Sequence, residues 1–162
     1  MSYNRAYNSH NPNQGPARRV LCLCSAGLLR SPTAAVVLQR EFGYNTRAAG
    51  TEIDFALIPY DDVLLEWADE IVCMTTHQAN AVKVSGTTKP IYTLDVPDRY
   101  GYMDKTLQKL ILEAYSEVTG VKKNADNKSP KVSRRKRSNP TGPTPSNLHS
   151  RKQPRPQRNQ SA

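Results

Sequence analysis

Apolar runs of strand length alternate with amphipathic helical segments through the first 120 residues, which predicts an α/β fold. The architecture expected is a small three-layer α/β/α domain on a four-stranded parallel sheet. Three observations carry this. The runs ending in Leu23 and Met74 are apolar almost throughout rather than alternating, as strands covered on both faces are. A segment with helical periodicity follows each run. At 162 residues the chain has room for one domain and its tails.

Taken in order, Arg19–Leu23 reads as a central parallel strand. Pro32–Phe42 follows as a helix with Ala34, Val37, Leu38 and Phe42 at helical spacing. Ser31 stands at its cap, Pro32 in its first turn and Gly43 at its stop. Asn45–Ala49 is a second strand that runs into Gly50-Thr51. Asp61–Asp69 reads as a helix with Val63, Leu64 and Trp67 on one face and acidic residues in its first turn. Glu70–Met74 is a buried strand, and His77–Val84 a short helix with His77 in a capping role. Pro90–Leu94 makes the fourth strand. After the loop Asp95–Met103, a last helix spans Asp104–Val118, with Leu107, Leu110, Ile111 and Tyr115 at helical intervals.

Both ends have another character. Residues 1–17 lack periodicity and contain Asn-Pro and Gly-Pro pairs, so a disordered N-terminal segment is expected before a domain at 18–120. Residues 121–162 read as a disordered basic tail, too poor in large apolar side chains to offset their ordering entropy. Charge divides the same way. The segment from Lys122 to the end holds twelve Lys+Arg against Asp126 alone, whereas Arg18–Val121 carries ten Lys+Arg against thirteen Asp+Glu. A mildly acidic domain bears a strongly basic tail.

Three cysteines make no disulfide framework. Cys22 and Cys24 are taken to lie on opposite faces of their strand and so to be poor partners. A reducing compartment is implied. No apolar stretch reads as a signal peptide or approaches the ~20 residues that span a bilayer, so the expectation is a soluble, cytoplasmic protein without a membrane partner.

The chemistry concentrates in Cys24-Ser25-Ala26-Gly27-Leu28-Leu29-Arg30-Ser31-Pro32. A thiol between a strand end and a helix start meets backbone N–H groups and the positive end of a helix dipole, which favour the nucleophilic thiolate. The same N–H groups, from Ser25, Ala26, Gly27, Leu28, Leu29, Arg30 and Ser31, make a nest for a tetrahedral anion. Gly27 supplies the positive φ or close approach such a loop needs. Arg30 adds a planar fork of donors that suits two phosphate oxygens. Nucleophile, anion cradle and fixed charge together are the equipment for cleaving a phosphate monoester through a phosphocysteine. The leaving oxygen needs a proton, and Asp95 or Asp98, in the loop after Leu94, is the candidate acid. Tyr100 and Tyr102 in the same loop would line a slot for a flat substrate. No spaced Cys/His cluster and no dinucleotide-type glycine pattern occurs, so neither metal nor cofactor is expected.

These residues resemble the low-molecular-weight protein tyrosine phosphatase family, and more closely its short bacterial and phage relatives. The resemblance runs from Arg18 to about Val118. It rests on strand-Cys-x5-Arg-Ser-Pro, on Ala49-Gly50-Thr51, on Trp67-Ala68-Asp69-Glu70-Ile71-Val72-Cys73-Met74 and on the late Asp-containing loop. It implies a protein tyrosine phosphatase acting on a phosphorylated protein or small phosphate ester. Cys24 would be the nucleophile and Arg30 the phosphoryl ligand. Ser31 would steady the thiolate, and Asp98 or Asp95 would be the general acid, with Asp98 slightly favoured by its spacing from Tyr100 and Leu107. The chain departs from the family in three ways: Gly27 replaces a usual Asn, Leu29 a frequent second loop cysteine, and the Asp-Pro acid motif is absent. Larger tyrosine phosphatases that share Cys-Ser-Ala-Gly place a His before the cysteine and the loop after the acid. Here Leu23 precedes Cys24 and the loop comes first.

Two other functions compete. An arsenate reductase on this fold needs resolving cysteines, and only Cys22 and Cys73 remain, both in strands. Alternatively the domain is a non-catalytic phosphate binder. In that case the run from Lys131 to Ser138 binds nucleic acid or an acidic partner by counterion release.

Overall fold

The computed structural model describes residues 13–123. The disorder expected of the termini falls almost wholly on 1–12 and 124–162, outside the described residues. The expected boundary at Arg18 is gradual, since Asn13 donates to the Gln39 and Tyr44 carbonyls and Asn45 donates to Gln14.

The four strands are β1 (Arg19–Cys24), β2 (Asn45–Gly50), β3 (Glu70–Cys73) and β4 (Ile91–Thr93). They form one parallel sheet in the order β2-β1-β3-β4. Four helices connect or follow them: α1 (Arg30–Phe42), α2 (Asp62–Trp67), α3 (Thr76–Val84) and α4 (Lys105–Thr119). One face of the sheet packs on α1 and α4 through Val37, Leu38, Phe42, Leu107, Ile111 and Tyr115. The other packs on α2 and α3 through Leu64, Leu65, Ala79 and Val82. The fold is the three-layer α/β/α domain that the alternation of patterns predicts.

The chain leaves β1 toward β2 on one side, while β3 lies on the other. The strand order therefore reverses at the C-terminal ends of β1 and β3, where open α/β sheets leave a crevice for ligands.

Local chemistry sets most element ends. Gly43 closes α1 at φ 71°, its N–H donating to the Gln39 carbonyl at 3.0 Å, and Gly120 closes α4 at φ 71°. Asp61 caps α2 by accepting from the Leu64 N–H, and Asp104 caps α4 through Thr106 and Leu107.

Four expectations need correction. Helix α1 starts before Ser31: the Leu29 carbonyl accepts the first helical bond, from Thr33, so Leu29 is the N-cap and no side chain caps it. Pro32 still lies in the first turn, where its missing N–H costs no helical bond. Cys22 and Cys24 share one face of β1 with Val20, because residues two apart on a strand point the same way. Val63 is 58 % exposed, since the short α2 turns Leu64 and Leu65 inward instead. Thr75, not His77, is the N-cap of α3, and exposed His77 sits 3.3 Å from the Glu52 carboxylate.

The far end of the sheet holds a buried charge network. Glu70, 1 % exposed at the start of β3, pairs with Arg18 and accepts from the Tyr115 hydroxyl of α4 at 2.5 Å. Among the described residues no helix is long and apolar enough to cross a membrane.

Candidate active site

The loop Cys24–Arg30 follows the last residue of the central strand and ends in the first turn of α1. Its shape is imposed by the segment after β2. The carbonyls of Cys24, Ser25 and Ala26 accept, in turn, the N–H groups of Thr51 (2.9 Å), Glu52 (3.0 Å) and Leu57 (2.9 Å). In a trans peptide the next residue's N–H points opposite to the carbonyl. With three successive carbonyls tied outward, the N–H groups of Ser25, Ala26 and Gly27 turn inward. The Gly27 N–H accordingly donates to Cys24 Sγ at 3.2 Å. The amides of Leu28, Leu29, Arg30 and Ser31 donate to no carbonyl or side chain among the described residues. These are the orphan donors of a helix start.

Two glycines make this possible. Gly27 sits at φ +72°, and a Cβ there would lie 3.0 Å from the Ala49 carbonyl carbon and the Gly50 nitrogen. At Gly50 a Cβ would meet the Ser25 oxygen at 2.5 Å. The Ala49-Gly50 step is thus the bed on which the loop lies.

Cys24 is 4 % exposed, and its sulfur lies 3.1 Å from the Ser31 hydroxyl. That hydroxyl also donates to the Ala49 carbonyl at 3.2 Å. One hydroxyl proton serves two acceptors. With a thiol, the S–H donates to Ser31 Oγ and the hydroxyl proton stays on Ala49. With a thiolate, the hydroxyl swings to the sulfur. Ser31, expected as a helix cap, instead shares its hydroxyl between the Cys24 sulfur and the Ala49 carbonyl.

Arg30, 4 % exposed, is held by the loop after β4. Its Nη1 donates to the Val96 carbonyl at 2.9 Å, and its Nη2 lies 3.1 Å from the Asp98 carboxylate. Val96 is in turn fixed by its N–H on the Met74 carbonyl, which continues the β3–β4 ladder. Of the two candidate acids, only Asp98 meets the loop. Asp95, at φ +49°, accepts from Thr76 at 3.4 Å instead. Of the two tyrosines, Tyr100 packs on the α1–α4 core and accepts from Arg99, and Tyr102 is 56 % exposed; no hydrogen bond or ring contact joins either to the loop among the described residues.

Cys22 and Cys73 are wholly buried, and burial pushes the Cys73 thiol up to about 12 and the Cys22 thiol further. Both lie inside strands, where the sequence places them, and not on an exposed segment.

Its neighbours among solved structures are bacterial phosphatases. The chain is similar to the YwlE arginine phosphatase from Geobacillus stearothermophilus, at 17% identity, 64% of this chain, 89% of that one and a TM-score of 0.49. It is also similar to the tyrosine phosphatase Wzb from Escherichia coli K30 in complex with phosphate, at 15%, 62%, 95% and 0.48. A low-molecular-weight phosphotyrosine phosphatase from Vibrio cholerae O395 matches at 19%, 63%, 92% and 0.43. No family model and no curated protein sequence matches the chain. The functional reading therefore rests on the geometry of the loop.

Sequence reasoning missed Gln78. It is 2 % exposed in the first turn of α3, donating to Ser25 Oγ at 3.0 Å and accepting from the Thr75 N–H at 2.7 Å. The Thr75-x-x-Gln78 spacing of a capping box was legible. The bond to Ser25 was not, because it joins residues 53 apart.

Proposed function

We propose that the chain is a phosphomonoesterase of the protein tyrosine phosphatase kind acting through a phosphocysteine, and that its substrate is a phosphorylated protein or a small phosphate ester. The observation that carries this is the Cys24 sulfur held between the Gly27 N–H and the Ser31 hydroxyl in a loop of inward-turned amides that Arg30 closes. A phosphoryl group seated there would receive charge-assisted bonds from the amides and from Arg30. Cys24 Sγ attacks phosphorus as the bond to the leaving oxygen breaks, and Asp98 gives that oxygen its proton. Water then attacks phosphorus as Asp98 takes a proton from it, the S–P bond breaks with its electrons returning to sulfur, and inorganic phosphate leaves with the thiolate restored.

Asp98 pairs with Arg30 yet is 62 % exposed, so it is free to yield the guanidinium to a phosphoryl group and turn to the leaving oxygen. Val96 keeps Arg30 in place meanwhile. Asp95, bound to Thr76, is the weaker candidate. Hydrolysis of an aryl phosphate tests the proposal. Activity unaffected by a chelator and abolished by Cys24→Ser is expected, and Arg30→Lys should lose most of it, since a point charge does not replace a planar fork. Full turnover in Cys24→Ser would refute it.

A further inference from the structure

We infer that Gln78 is a positioning residue for the phosphate loop, holding Ser25 from across the crevice between β1 and β3; this rests on the phosphatase reading above. The loop is tied on its β2 side by backbone bonds from Thr51, Glu52 and Leu57. On its β3 side the tie is a side chain. Gln78 reaches over from the start of α3, and its Nε2 donates to Ser25 Oγ at 3.0 Å. Among the described residues Ser25 has the only side chain from Ser25 to Leu29 with a hydrogen-bond partner. Gly27 has none to offer, Ala26 ends in a methyl, and Leu28 and Leu29 are 51 % and 41 % exposed. Ser25 also directly follows the nucleophile, and its peptide N–H is one of those turned inward. Any drift of Ser25 therefore moves both the sulfur and the cradle.

The orientation of the Gln78 amide is determined by its surroundings. Its Oε1 accepts from the Thr75 N–H at 2.7 Å, which leaves the NH₂ facing Ser25. At 2 % exposure that donor has no solvent to turn to, so losing Ser25 leaves it unsatisfied. A capping residue alone would need only the Thr75 bond. The second bond, made where the strand order reverses, ties α3 to the anion site.

The test is a double-mutant cycle read by the competitive inhibition constant of inorganic phosphate and by kcat/KM for an aryl phosphate, with Tm measured alongside. Ser25→Ala breaks the bond while leaving the α3 cap intact, and Gln78→Met breaks it from the other end at similar volume. Each should weaken phosphate about three- to tenfold, the size of one neutral hydrogen bond. The double variant should be no worse than the worse single. Both variants should lower Tm, Ser25→Ala through the unsatisfied Gln78 donor and Gln78→Met further, since it also loses the Thr75 bond. Phosphate affinity unchanged in Ser25→Ala overturns the inference, even if Gln78→Met fails to fold. So do single effects that simply multiply in the double variant. A wild-type chain that neither binds phosphate nor hydrolyses the ester removes the phosphatase reading and this inference together; an active wild type indifferent to Ser25→Ala removes this one alone.

Discussion

At the scale of single residues, the candidate site depends on side chains that are small or absent as much as on the reactive ones. Gly50 touches no reacting group in the proposed chemistry, yet its hydrogen faces the Ser25 carbonyl where a methyl would sit at 2.5 Å. Gly50→Ala must push the loop off its bed. It should cost about 1–3 kcal/mol of stability in denaturant unfolding, as overpacking does, and remove phosphate binding with it. Retained phosphate binding would mean that the loop does not need the Ala49-Gly50 step. Asp98 makes a different kind of demand. Asp98→Asn should slow formation of the phosphoenzyme by about 10²–10⁴-fold for poor leaving groups and much less for nitrophenolate. The same experiment on Asp95→Asn should show no such dependence, because Asp95 is turned to Thr76.

At the scale of elements, the helices were legible by their period and the central strands by their unbroken apolar runs. The loop chemistry was legible because Cys24, Gly27 and Arg30 are close in sequence. Illegible were bonds between residues far apart: Gln78 to Ser25, Val96 to Arg30 and Tyr115 to Glu70. The start of α1 was misread for a related reason. Ser31 has the chemistry of a cap, but the nearby sulfur and the Ala49 carbonyl use its hydroxyl instead.

The Glu70 network ties α4 to β3 at the end of the sheet away from the loop. Tyr115→Phe should therefore cost about 1.5–3 kcal/mol, the range for a hydrogen bond to a charged group, and leave turnover intact. Asp69, just before β3, is accessible to a pH measurement. The Arg19 side chain and backbone N–H hold its carboxyl below the usual range. Stability from this pair is complete above the ordinary carboxylate range and is lost as pH falls through the depressed value. Asp69→Asn should accordingly flatten part of the acid limb of the stability–pH curve.

At the scale of the whole molecule, a strongly basic tail follows a mildly acidic domain. The last described residues still belong to the domain: Val121 packs on the α1–α4 core and Lys123 pairs with Glu41. Truncation after Lys123 should leave aryl-phosphate turnover within about a factor of two, since the tail's composition builds no core. It should abolish the salt-sensitive retention on nucleic acid or acidic partners that ten further Lys+Arg would give the full chain. Lost turnover would mean that the tail serves the site itself. The central claim is the covalent step, and rapid quenching of the chain with an aryl phosphate tests it most directly. The account predicts a burst of phenol approaching the enzyme concentration and one phosphoryl group recovered on Cys24. Hydrolysis without a burst and without phosphate on Cys24 would contradict it.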